Sequence, residues 1–145
     1  MATETKTKAR VFTFMNDELA AGRGDVYLPG TEGLSGVLKR YVEGGENRLH
    51  CHPAEDHAFY ILQSQATFRL GSEENVVVAG TGDAVLLPAG TYYRFENTGD
   101  AKLLMIRVGN AADNHGRLDP AGNPITSTVG VSREAVYAPE RELPF

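Results

Sequence analysis

Only one cysteine, Cys51, occurs among the 145 residues. No internal disulfide can hold the chain together, which suits a reducing compartment. Basic residues do not outnumber acidic ones. Fourteen Lys and Arg stand against nineteen Asp and Glu, a net charge of -5 with both signs scattered along the chain. A basic face for phosphate is missing, so nucleic acid is not expected as a partner. No apolar run approaches a membrane span, and the first ten residues, MATETKTKAR, hold no apolar core of a leader. The expectation is a cytoplasmic protein without a membrane partner. Long helical patterns and internal repeats are absent as well.

What is present is turn chemistry between short apolar runs. Sixteen glycines and seven prolines punctuate the sequence, and 41% apolar content is enough for one core. Eight strands are expected: Gly36–Glu43, Arg48–His52, His57–Leu62, Ala66–Leu70, Asn75–Gly80, Ala84–Ala89, Tyr92–Asn97 and Lys102–Gly109. Eight such strands are enough to close a small all-β barrel or jelly roll. One short helix is expected over Met15–Gly22, with Asn16 as N-cap, Glu18 in the first turn and Gly22 as the stop. Residues 1–10 read as a flexible lead-in and 11–110 as the barrel. Residues 111–145, rich in Gly, Pro and Asn before turning apolar again at AVYAPERELPF, read as an arm on the barrel or on a partner subunit. A homodimer is the expected assembly.

Chemistry concentrates in RLHCHPAEDHAFYIL, which holds three of the four histidines; the fourth, His115, lies in the tail. On a strand, His50 and His52 project to one side and Cys51 to the other. A hairpin after Pro53 returns His57 to that fork. Neutral imidazoles bind divalent transition metals, and three of them leave positions open on the ion for water or substrate. Cys51 reads as a small core residue. Glu55 reads as an ordinary solvated turn acid, while Asp56 remains an alternative ligand, since a one-residue change in the turn would exchange it for His57.

These residues resemble the cupin family. Its first motif runs G-x5-H-x-H, three or four residues, E, six residues, G, and here Gly44, His50 and His52 fall in register. His57 stands where the family has its glutamate, and Ser64 where it has the closing glycine. A three-residue spacer would instead put Asp56 in the acid's place. The second motif, G-x5-P-x-G-x2-H-x3-N, is matched by Gly82, Pro88, Gly90 and Asn97, with Tyr93 in the histidine's place. The resemblance spans about residues 36 to 109. It implies a single cupin-type β-barrel, a double-stranded β-helix, holding one divalent transition metal (Fe, Mn, Zn, Ni or Cu) at His50, His52 and His57.

Tyr93 would face that metal as a phenolate ligand, a proton donor or acceptor, or a buried aromatic. Alternation places Phe59, Ile61 and Phe95 on the same face as an apolar wall, with Arg40 as a nearby cation. The implied activity is that of a metal-dependent enzyme, dioxygenase-like, with Tyr93 catalytic, acting on a small apolar or aromatic oxygenated molecule. A non-catalytic ligand-binding barrel, or lyase, isomerase or cyclase chemistry at the same metal, are the alternatives.

Overall fold

Strict alternation of buried and exposed residues organises the centre of the chain. In the computed structural model, which describes residues 9–14, 19–110, 116–125, 133–141 and 143–144, His57, Phe59 and Ile61 are buried while Tyr60 and Leu62 are exposed. That is the period of a strand with one face on the core. Twelve strands occur among the described residues: β1 (Val11–Phe12), β2 (Arg23–Thr31), β3 (Leu34–Tyr41), β4 (Gly45–His50), β5 (His57–Gln63), β6 (Gln65–Leu70), β7 (Val76–Gly80), β8 (Ala84–Leu87), β9 (Tyr93–Asn97), β10 (Leu103–Gly109), β11 (Arg133–Tyr137) and β12 (Glu140–Arg141). They form a six-stranded sheet, β11-β2-β3-β10-β5-β8, a four-stranded sheet, β4-β9-β6-β7, and a two-stranded ribbon, β1-β12.

The fold is the expected all-β one, with additions. Four strands, β1, β2, β11 and β12, were not foreseen. β2 hides because four consecutive residues, Arg23 to Val26, are all buried and two of them are charged, which erases alternation. β11 pairs parallel to β2, so part of the C-terminal segment lies on its own barrel. Of the helix expected over Met15–Gly22, residues 15–18 lie outside the described residues, and residues 19–22 are not helical. Most of the expected lead-in, residues 1–8, and His115 also lie outside them. No helix among the described residues is long and apolar enough to cross a membrane.

The main core joins the inner faces of the two large sheets: Tyr41, Phe59, Ile61, Phe68, Tyr93, Phe95, Leu103 and Met105 all belong to it. The Phe59 ring lies 5.6 Å from Phe68, Tyr93 and Phe95 alike, the spacing of favourable aromatic pairs. Emptying such a site by Phe59→Ala costs about 3–5 kcal/mol. A second cluster, Val26, Leu38 and Ala138 with Phe12, Leu28 and Ile106, fills the outer side of β2 and β3. Loop ends are tied by Asn97: Nδ2 donates to Tyr41 O (3.0 Å) and Ala101 O (2.9 Å), and Oδ1 accepts from Gly99 N (3.0 Å) and Ser64 Oγ (3.3 Å). Ser64 itself has φ +72°. The chain thus keeps the left-handed backbone of the motif's closing glycine without the glycine, at a cost of roughly 1 kcal/mol.

Candidate metal centre

The end of β4 does not follow simple alternation. Its pairing with β9 shifts register between Glu46 and His50, and His52 already lies beyond the strand. His50 is buried, its Nδ1 donating to Arg48 O at 2.9 Å and its Nε2 lying 3.1 Å from Glu46 Oε1. His52 points elsewhere: Nε2 is 3.4 Å from Tyr93 Oη, and Nδ1 is buried with no hydrogen-bond partner among the described residues. The His52 and His57 rings are 4.3 Å apart, and His50 and His52 are 5.4 Å apart.

All three expected histidines therefore meet, but the closest donor set contains Glu55 in place of His50. Ligand atoms of His52, Glu55 and His57 all lie within 4.8 Å of one another. Glu55 was expected to be a solvated turn residue; it is 6% exposed, and its Oε2 accepts from His57 Nε2 at 3.1 Å. The reason is the extended backbone between them, which sends residues two apart to the same side. Asp56, the expected alternative, is sent to the other. It is exposed, with Oδ1 accepting from Ala89 N and Oδ2 from Asn110 Nδ2, both at 2.8 Å. It clamps two loops instead of reaching the centre.

The donors suit a transition metal. Ligating imidazoles must be neutral. Burial, with His57 and His50 nearby, pushes His52 down to about 3. Burial and the Arg107 guanidinium lower His57 against the opposing pull of Glu55. With the orphaned Nδ1 of His52 and a buried carboxylate, these residues fit a divalent ion of the borderline class. Tyr93 is fully enclosed, and burial followed by the charge on Glu46 holds its hydroxyl well above 10. Its hydroxyl lies 3.4 Å from His52 Nε2, at the edge of the donor set, as each of its sequence-based readings requires.

Other expected residues are placed differently. Phe59, Ile61 and Phe95 are sealed in the core, beneath the histidines and not around an open apolar wall; Phe59 meets His57 at 6.5 Å between ring centres. Arg40 is buried on the opposite side of β3. Lys39 and Tyr41 face the interior, whereas Arg40 lies over Gly24, where a Cβ would stand 3.1 Å from its Cζ. Arg107, absent from the expected set, instead approaches the centre, with Nη1 3.4 Å from His57 Nε2. Its signal was present in LLMIRVG, where Leu103, Met105, Arg107 and Gly109 share one strand face and a cation interrupts an otherwise inward row.

Residues 37–109, about half of the chain, match the Cupin domain family. The chain belongs to the cupin family. A comparison with curated proteins finds none that matches. Among solved structures, this cupin is similar to a conserved protein with a double-stranded β-helix domain from Klebsiella pneumoniae, at 17% identity over 76% of this chain and 96% of that one, TM-score 0.62. It is similar to Pac13, described as a nucleoside dehydratase, at 20% identity over 59% of this chain and 66% of that one, TM-score 0.51; Pac13 from Streptomyces has been seen with uridine. It also resembles oxalate decarboxylase of Bacillus subtilis, a protein with Mn(II) centres, at 19% identity over 62% of this chain and 24% of that one, TM-score 0.51. At these identities the likeness is one of fold.

Proposed function

We propose that this cupin is a metal-dependent enzyme of the oxygenase kind, acting on a small oxygenated organic molecule beside a divalent transition metal at His52, Glu55 and His57. The observation that carries the reading is the convergence of those three ligand atoms within 4.8 Å. Two imidazoles and one carboxylate are the donor set of non-haem iron oxygenases, and they leave coordination positions open. When bound, such an ion supplies Lewis acidity and, where the metal is iron, manganese or copper, redox chemistry.

The chain's own residues supply the remainder. His57 Nε2 and Glu55 Oε2 lie 3.1 Å apart, the separation of two donors that share one ion once the imidazole gives up the proton between them. Tyr93 presents its O–H at the edge of the set, 3.4 Å from His52, where it holds a proton for the substrate. The Phe59–Phe95–Phe68 floor keeps water out from below. Polar groups around the donors favour an oxygenated substrate over a purely apolar one.

A second reading, lyase or dehydratase chemistry, is favoured by the Tyr93–His52 contact, since a phenol beside a Lewis acid suits departure of a hydroxyl group. Oxygen uptake by iron-loaded protein across a panel of small oxygenated organics separates the readings. Uptake lost in His57→Ala supports the oxygenase. Turnover without uptake supports the second reading, and no turnover of any panel member by wild-type protein overturns both in favour of a binding barrel. For assembly we propose a homodimer, supported by the uncharged outer face of β10, β5 and β8, where Tyr60, Leu62 and Leu86 are exposed.

A further inference from the structure

A guanidinium on an inward strand face needs an explanation. On β10, Leu103 and Met105 are wholly buried in the core, and Arg107 comes next on the same face. Strand pairing sets it between Val37 of β3 and Phe59 of β5. Its Nη1 reaches 3.4 Å from His57 Nε2, while its Nε is buried without a hydrogen-bond partner among the described residues. The nearest acid at the centre, Glu55, turns its Oε2 to His57. A guanidinium has five donors in a planar fork, and here part of that fork is unspent.

Charge makes the same point. Arg107 raises the positive potential at His57, His52 and Tyr93, and Arg117 adds to it at Tyr93. Arg117 is brought there by the C-terminal segment, whose Leu118 exchanges backbone hydrogen bonds with Cys51 at 3.0 Å in each direction. Two carboxylates, Glu55 and Glu46, oppose these cations at the centre, and Glu46 is already paired with Lys39 at 3.0 Å. Adding a divalent ion would leave the centre strongly positive, an arrangement that an incoming anion relieves. Gly109 lets the His57 ring pack close against β10 beside Arg107: a Cβ there would stand 3.0 Å from both His57 Cδ2 and Ser35 Oγ.

We propose that Arg107 is a substrate-binding residue and that the substrate is a carboxylate, its planar anionic group seated on the Arg107 fork next to His52, Glu55 and His57. A carboxylate matches the fork with two parallel hydrogen bonds. The inference rests on the metal-centre reading for what lies beside the anion, but the anion contact is a separate property that can be measured without metal.

The test is calorimetric binding of acetate, benzoate and 2-hydroxybutyrate, each against its neutral amide, to metal-free and Mn(II)-loaded protein. At least one carboxylate is expected to bind about tenfold or more tightly than its amide. Arg107→Met is expected to erase that ratio, and Arg107→Lys, which keeps the charge and fills a similar volume, to retain part of it. If no carboxylate in the panel is preferred, or if the preference survives in Arg107→Met, the proposal is overturned. Loss of the preference in Arg107→Met counts in its favour only when thermal unfolding shows that variant to be folded; where it is not, the ratio measured for Arg107→Lys decides, an undiminished ratio counting against the fork. Mn(II) uptake alone, measured on the same proteins, reports on the metal centre. A wild-type chain that prefers carboxylates but takes up no metal sinks the metal reading and keeps this one; metal uptake with no carboxylate preference does the reverse.

Discussion

Glu46 links the histidines to a buried ionic group. Its Oε2 is 3.0 Å from Lys39 Nζ and accepts from Tyr41 Oη at 3.2 Å, and its Oε1 is 3.1 Å from His50 Nε2. Asp25 lies 3.7 Å from the same lysine and 3.8 Å from Arg23, which stacks over Tyr41. Burial alone would raise the Glu46 carboxyl, but Lys39, His50 and Arg23 outweigh it and hold it well below 4.5. The folded state therefore refuses a proton that the unfolded chain accepts. The resulting stability is complete above 4.5 and declines as pH falls below it, until the folded carboxyl itself protonates. Glu46→Gln should lower stability at neutral pH by on the order of 3 kcal/mol, because Lys39 loses its closest partner, and should flatten this acid-side slope. Urea unfolding followed by circular dichroism between pH 7 and 3 checks both; an unchanged slope would remove Glu46 from the account.

At the scale of elements, β10, β5 and β8 have two faces of opposite character. Inward they bury His57, Phe59, Ile61, Leu87 and Met105. Outward they expose Tyr60, Leu62, Ala84 and Leu86 beside the half-buried Leu104, Val108 and Ala58, with no charge among them, while Ile106 packs into the second cluster. Antiparallel sheets that face water show polar residues there, and contiguous apolar surface marks an interaction site. A second copy of this chain is the proposed occupant. Sedimentation velocity should give a dimer for wild type and a monomer for Leu86→Glu, placed at the most exposed leucine of the face; a wild-type monomer contradicts the proposal. The same strands show why some elements were legible in sequence. β5, β9 and β10 each bury one face, so period-two alternation survived; β2 buries the charged Arg23 and Asp25 on one side and Val26 in the second cluster on the other, and lost it.

For the molecule as a whole, the turn chemistry and two motif-like segments were enough to place an all-β barrel and to bring the histidine hairpin together with Tyr93. The composition of the site was less legible. Glu55 follows Pro53 in a turn where acids are ordinarily solvated, and only its burial beside His57 reveals that the two share a side. His50 lies next to Glu46, its Nε2 3.1 Å from Oε1 but buried without a hydrogen-bond partner among the described residues, and β4 shifts register between the two. The centre is thus an interplay of one hairpin and the two sheets that hold it.

The central claim is that His52, Glu55 and His57 form the metal centre. Its most direct test is equilibrium dialysis of wild type, Glu55→Gln, His57→Ala and Asp56→Asn against Fe(II), Mn(II) and Zn(II), with bound metal read by elemental analysis. Wild type is expected to hold about one equivalent per chain, with affinity reduced by roughly 100-fold or more in Glu55→Gln and His57→Ala and little changed in Asp56→Asn. Wild-type protein that binds none of these ions, or metal binding that depends on Asp56 and not on Glu55, would contradict it.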